Sequence, residues 1–199
     1  FPTAWLLYPH FNSETIPGWG SDPYFCTYII EQVFSQFESG LNPFQDKFWD
    51  IGIFYPAPRA LAFSDPFILQ GFLVFLIRNI FQINSALSIN VVFIFFFLLN
   101  WTWTYLFYLE ITKSKIGSLL ASWLWAFSLF HLSQSAHFQN TAAFGIPMAL
   151  FFTFRIFRNK QLIYKIGFAV SFFLLATSNL YYFIFSEIAV CLTISYKLF

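Results

Sequence analysis

SALSINVVFIFFFLLNWTWTYLFYLE, residues 85–110, decides the fold. From Ser85 to Leu109 there is no charged side chain, and the first one met is Glu110. A bilayer's apolar core is crossed by about 20 residues of helix, and a helix satisfies its own backbone polar groups where water is absent. The stretch is therefore read as a membrane-spanning helix. The rest of the chain agrees: 58% of its 199 residues are hydrophobic and 10% are charged, against about 25% charged in a soluble domain.

Four further spans are expected beyond it: Ile116–Gln134, Thr141–Phe157, Lys165–Ser178 and Asn179–Lys197. Residues 85–199 then form a transmembrane bundle of about five spans. The chain opens at Phe1 without Met and stops at Phe199 within an apolar stretch, so the bundle is expected to continue. By the same reasoning residues 1–8 are the outer end of a truncated first transmembrane helix.

Residues 9–84 have a different composition. Seven of the nine acids fall between Pro9 and Asp65, together with Pro9, Pro17, Pro23, Pro43, Pro56 and Pro58. This is a long loop with interfacial helices. Asp22 is expected to cap one of them, Pro23 fits the first helical position, and Gly40 supplies the stop. Phe25, Ile29, Val33 and Phe37 recur every four residues, so residues 22–39 read as an amphipathic helix on the membrane surface. Asp65-Pro66 starts a second helix, expected over 66–81. Its apolar run is too short to cross, since Gln70 precedes it and Arg78-Asn79 follow.

Charge fixes the sidedness. Lys113 and Lys115 lie in one segment between spans, and Arg155, Arg158, Lys160 and Lys165 in a later one. The alternate segments, around 134–140 and 178–179, have no Lys or Arg. The positive-inside rule puts the basic segments in the cytoplasm. If 66–81 does not cross, then Asp22, Asp65, His131, His137, Gln139 and Asn179 all fall on the outer face. The expected architecture is thus an all-α integral membrane protein: a multispanning helical bundle with a long external loop carrying two juxtamembrane helices. It is multi-pass in the cell's inner (plasma) membrane.

Several classes lose ground at once. A net charge of +1 gives no nucleic-acid footprint. No G-x-x-x-x-G-K-[ST] or G-x-G-x-x-G occurs, which argues against coupling to a nucleotide-driven pump. Cys26 and Cys191 sit in apolar contexts without metal-ligand spacing and read as small hydrophobes.

The segments GWGSDPYF (18–25), GLNPF (40–44), IFYPAPRALAFSDPFILQG (53–71), WLWAFSLFHLSQSAHFQN (123–140), FGIPMALFF (144–152) and SNLYYFIF (178–185) occur in that order. Together they resemble the GT-C superfamily of bacterial membrane glycosyltransferases, in particular the YfhO-like and mannosyltransferase-like multispanning proteins. The resemblance implies a hexosyltransferase that takes sugar from a polyprenyl-phosphate donor. It would transfer that sugar to a glycan, lipid or protein acceptor outside the cytoplasm. In that superfamily an acid early in the first external loop is essential, and Asp22 stands there. A second acid later in the loop often assists, and Asp65 is the nearest match.

Glycosyl transfer needs a base for the acceptor's proton and donors for the departing phosphate. Asp22 is the candidate base; its plainer role is a helix cap. Asp65 carries the same two readings. Arg59, His131 and His137 are the external cationic candidates for phosphate, and His137 with Gln139 suits a hydroxyl or phosphate contact. Each also reads as an ordinary surface or interfacial residue. Tyr24 and Tyr55 could stack on a sugar, although interfacial aromatics are expected anyway. His131 and His137 are six apart, not at ligand spacing on one helix face. A divalent cation between Asp22 and Asp65 is chemically allowed, with no D-x-D pair to support it, and no other cofactor is indicated.

Two rival functions stand beside the transferase. One is a transporter or flippase of lipid-linked sugar or polymer, for which Glu187 is an intramembrane acid of the right kind. The other is a non-catalytic membrane assembly subunit.

Overall fold

The computed structural model describes residues 15–16, 21–54, 56–63 and 65–198, apart from the side chains at 135, 197 and 198. The expected stub at 1–8 and the loop's first residues lie outside that set. Every regular element among the described residues is helical: α1 (Asp22–Glu38), α2 (Ile68–Phe81), α3 (Ser85–Thr112), α4 (Lys115–Ala126), α5 (Leu129–Ser133), α6 (Gly145–Arg158), α7 (Leu162–Ser178) and α8 (Leu180–Leu198), with 3-10 turns at Asp46–Trp49, Ala60–Phe63, Gln134–Ala136 and Phe138–Ala142. Among the described residues, three stretches are long and apolar enough to cross a membrane: Ser85–Thr112, Lys115–Ser133 and Phe138–Arg158. α7 and α8 are apolar but shorter than a full crossing over their described spans. α2, at 14 residues, is about 21 Å long, which falls short of the apolar core of about 30 Å.

The chain divides into two compact units, Phe1–Ile94 with Gln134–Gln139, and Phe95–Ser133 with Asn140–Phe199. The division falls inside α3.

In the first unit, α1 stops where its sequence says it should. The Gly40 N–H donates to the Phe37 carbonyl and the Leu41 N–H to the Gln36 carbonyl, both at 3.0 Å. This is a Schellman closure, and it places Gly40 at φ 81°. The start differs from expectation. Ser21 holds the cap position, Asp22 is the first helical residue, and no side-chain cap bond forms. α2 likewise begins at Ile68 behind Phe67, whose φ is 51°, so Asp65 precedes the helix and is no cap.

The buried stripe of α1 is Pro23, Cys26, Ile29, Ile30 and Val33, while Phe25 is about half exposed. A four-residue repeat overshoots each turn by about 40°. By the time the helix reaches Val33 and Phe37, Phe25 has rotated off the shared face. That face meets α2 at Gly71, where an added Cβ would lie 2.6 Å from the Val33 Cβ and 3.2 Å from the Ile30 carbonyl oxygen. Phe37 seals the far end against Phe48, Phe72 and Phe75, with ring centroids 5.2–5.9 Å apart.

An ion-pair network ties these helices to α3. Arg78 binds both carboxylate oxygens of Glu31, one through Nη2 and the other through Nη1 at 2.9 Å. Its Nε donates to the Ser88 hydroxyl at 2.9 Å, and the Ser85 hydroxyl also donates to Glu31. The guanidinium lies over the Phe34 ring, 4.2 Å from its centroid. Arg78, read from sequence as the end of an apolar run, is the junction of three helices.

In the second unit α6, α7 and α8 pack together. Gly145 of α6 faces the Leu175 side chain of α7, and Gly167 of α7 faces the Phe152 ring of α6, so closely that a Cβ at either glycine would collide. Small residues at facing positions allow apolar helices to approach. The break between α7 and α8 is Asn179, in extended conformation. Its Oδ1 accepts from the Tyr182 N–H at 2.8 Å, capping α8, while its Nδ2 donates to Asn140 Oδ1 at 3.0 Å.

Replacing Gly71 by Ala should therefore overpack the α1–α2 contact and destabilise the fold by about 1–3 kcal/mol. Val33→Ala in the same chain should restore part of that loss by clearing the space. Thermal unfolding followed by size-exclusion in detergent measures both. A Gly71→Ala protein as stable as wild type would contradict this contact.

Candidate active site

The N-terminus of α1 and the turns at 134–139 come together in the first unit. Phe138 is the anchor: it is buried, and its ring lies 5.6 Å from that of Phe93 on α3. The turn is closed by the His137 N–H donating to the Gln134 carbonyl at 2.9 Å. These contacts present His137 and Gln139 to α1. The His137 Nε2 stands 3.6 Å from the Asp22 Oδ2, an ion pair whenever the imidazole is protonated. Both side chains are open to solvent, 42% and 57% exposed respectively.

One turn further along α1 is Cys26, buried beneath them. Its Sγ has two acceptors in range, Gln139 Oε1 at 3.6 Å and the Ala136 carbonyl at 3.9 Å. Burial pushes the thiol up to about 11; the Phe138 amide acts in the opposite sense, and the charges of Asp22 and Asp65 raise it further. Both carboxylates thus act on one sulfur. Asp65, unlike Asp22, is almost fully buried, at 6% exposure.

Asp22 with His137, and Cys26 with Gln139, thus meet at the start of α1. Arg59 is engaged elsewhere in the loop: its Nη2 lies 3.0 Å from Asp46 Oδ1, and its backbone N–H donates to Asp50 Oδ1 at 2.6 Å. The three residues fold the loop onto itself, and Arg59 makes no ion pair with Asp22. Tyr24 projects into solvent at 72% exposure. Tyr55 lies outside the described residues. The burial of Cys26 fits a small hydrophobe; its contact with Gln139, 113 positions away, has no signal in the sequence. Among the described residues no group of three or more His, Cys, Asp or Glu side chains is placed to hold a metal ion.

His131 belongs to the second unit. It is buried, and its Nδ1 is 2.6 Å from the Trp125 carbonyl. At that distance Nδ1 carries the proton and donates, which leaves Nε2 as the acceptor. The ring borders a cavity of about 660 Å³ whose walls include Trp125, Ser128, Tyr182 and Phe185. The Trp125 Nε1–H is buried there without a protein acceptor. Glu187 is exposed on the surface of α8.

Comparison with protein-family models, with curated proteins and with solved structures finds no match to this chain.

The Cys26 environment makes a measurable prediction. In a Cys191→Ser background, Cys26 should resist iodoacetamide at pH 8 in mild detergent and react once SDS unfolds the chain. Its folded value of about 11 lies above the ordinary 9.0. The associated stability is therefore present in full below pH 9 and is lost as pH rises through 11. Rapid alkylation of the folded protein at pH 8 would contradict the burial.

Proposed function

We propose that the protein is a multispanning membrane glycosyltransferase. It moves a sugar from a polyprenyl-phosphate donor to an acceptor hydroxyl on the extracytoplasmic side of the plasma membrane. The observation that carries this reading is the pairing of a solvent-open carboxylate, Asp22, with His137 at the start of α1; the loop's second candidate carboxylate, Asp65, is buried. The helical stretches long and apolar enough to cross a membrane support a membrane setting. The shortness of α2 supports keeping the loop and the 134–140 segment on one face. That face is the one opposite the Lys113–Lys115 and Arg155–Lys165 segments.

In the proposed reaction the acceptor oxygen attacks the anomeric carbon and gives its proton to the Asp22 carboxylate. The bond from that carbon to the phosphate oxygen breaks, and its electron pair leaves with the polyprenyl phosphate. Asp65 faces the positive charge that develops on the sugar. His137, and the free N–H groups at the start of α1, meet the departing phosphate. Gln139 contacts a sugar hydroxyl. The glycan, lipid or protein nature of the acceptor is set outside these residues. The rival reading, a flippase of lipid-linked sugar, is favoured by one observation: Glu187 sits on an otherwise apolar helix surface, where carboxylates serve transport more often than structure.

The test is transfer from a panel of labelled polyprenyl-phosphate sugars in proteoliposomes. Asp22→Asn should lower transfer by ~100-fold or more with the fold intact. Glu38→Gln, the same charge change on an exposed residue at the other end of α1, should leave it within about twofold. Full activity in Asp22→Asn would refute the role of Asp22, and movement of lipid-linked sugar without transfer would favour the flippase.

A further inference from the structure

Glu110, near the end of α3, is 5% exposed and is met by three cations. Arg158 Nη1 pairs with its Oε1, Lys113 Nζ lies 3.2 Å from the same oxygen, and Arg155 Nε is 3.2 Å from Oε2. The arrangement is held rigidly. The Arg155 guanidinium lies 5.4 Å from the Phe151 ring centroid and 5.6 Å from that of Tyr164.

The charges at this spot do not cancel. Glu110 offsets one of the three cations. The carboxyl-terminal ends of α3 and α6 together offset about one more, at roughly half a charge each. One full positive charge is left over. Lys115 and Lys160, each two residues further along the chain and exposed, add to it. Lys113 and Arg158 are themselves 60% and 49% exposed, so donors remain open to a second anion.

An apolar groove adjoins this cluster. A recess of about 410 Å³ is lined by Trp101, Thr102, Tyr105, Lys115, Ile116 and Leu119. Lys115 borders it, and Trp101 and Tyr105 lie on α3 within three turns of Glu110. A surplus of positive charge beside a groove of apolar and aromatic side chains fits one kind of molecule, an anion carrying an acyl chain.

We propose that this end of α3, α4 and α6 binds an anionic phospholipid, with its phosphate among Lys113, Lys115 and Arg158 and one acyl chain in the groove. The site rests on the membrane-embedded part of the function proposed above and is independent of the transferase chemistry. A neutral phospholipid lacks the charge to hold it, and a soluble phosphate lacks the chain.

The full chain in phosphatidylcholine nanodiscs doped with phosphatidylglycerol supplies the test, with bound lipid counted by native mass spectrometry. Phosphatidylglycerol should be retained in preference to phosphatidylcholine. Lys113→Gln and Lys115→Gln should each weaken that preference about fivefold. Glu110→Gln is the variant that separates the lipid site from a merely structural cluster. It should be less stable in phosphatidylcholine alone and regain stability when phosphatidylglycerol is added, because the lipid phosphate replaces the lost carboxylate. Leu119→Trp fills the groove and should abolish phosphatidylglycerol retention with the charges untouched. Equal retention of the two lipids, or lysine variants without effect, would overturn the proposal. So would stabilisation of wild type and Leu119→Trp alike by inorganic phosphate, which would mark a soluble anion. Recovery of the folded chain from the soluble fraction without detergent would instead defeat the membrane reading itself.

Discussion

A carboxylate withdrawn from water is stable only where a cation and hydrogen bonds replace its hydration, and each unit of this protein is tied at such a place. In the first unit Glu31 accepts from both Arg78 nitrogens and from Ser85, across three helices. In the second, Glu110 gathers Lys113, Arg155 and Arg158 at the ends of α3 and α6. Arginine suits the role because its planar fork fills two carboxylate oxygens at once and remains charged in apolar surroundings. Removing either glutamate would leave a cation partly buried without its partner. In an apolar chain with few charges, these pairs fix which helices meet and in what register.

Around those fixed points the helices are held by shape. Gly71 admits Val33 and the backbone at Ile30, while Gly145 and Gly167 admit Leu175 and Phe152. Close approach of this kind multiplies dispersion contacts between the helices. The glycines sit at facing positions for that reason. The site at Asp22 depends on the same packing. Phe138 against Phe93 fixes the turn that carries His137 and Gln139, and the buried stripe of α1 fixes the rotation that carries Asp22 and Cys26.

Much of the helix pattern was legible in the sequence. The apolar run from Ser85, the stop at Gly40 and the break at Asn179 all rest on local rules of backbone chemistry, and each lies close to where the residues put it. What local rules could not supply was distance along the chain. Asp22 and His137 are 115 positions apart, and only the fold of the 134–139 segment back onto α1 joins them. The same holds for Glu31 with Arg78 and for Glu110 with Arg158. Arg59 shows the converse. Its place between Asp22 and Asp65 in the sequence suggested a phosphate contact, yet Asp46 and Asp50 of the same loop hold it. The four-residue repeat from Phe25 to Phe37 is not one buried stripe, because a helix turns every 3.6 residues and Phe25 stays about half exposed.

The contrast between the two acids near Cys26 bears on chemistry more than their presence does. Asp22 is open to solvent and next to an imidazole, so it can exchange protons with an incoming hydroxyl and then with water. Asp65 is enclosed, at 6% exposure, and is shut off from exchange with water. A base has to release what it takes, whereas an electrostatic stabiliser has to stay in place. On the proposed reading, Asp22 is therefore the base and Asp65 the fixed carboxylate. The Cys26 thiol takes neither role: burial above all, with the charges of Asp22 and Asp65, pushes it up to about 11.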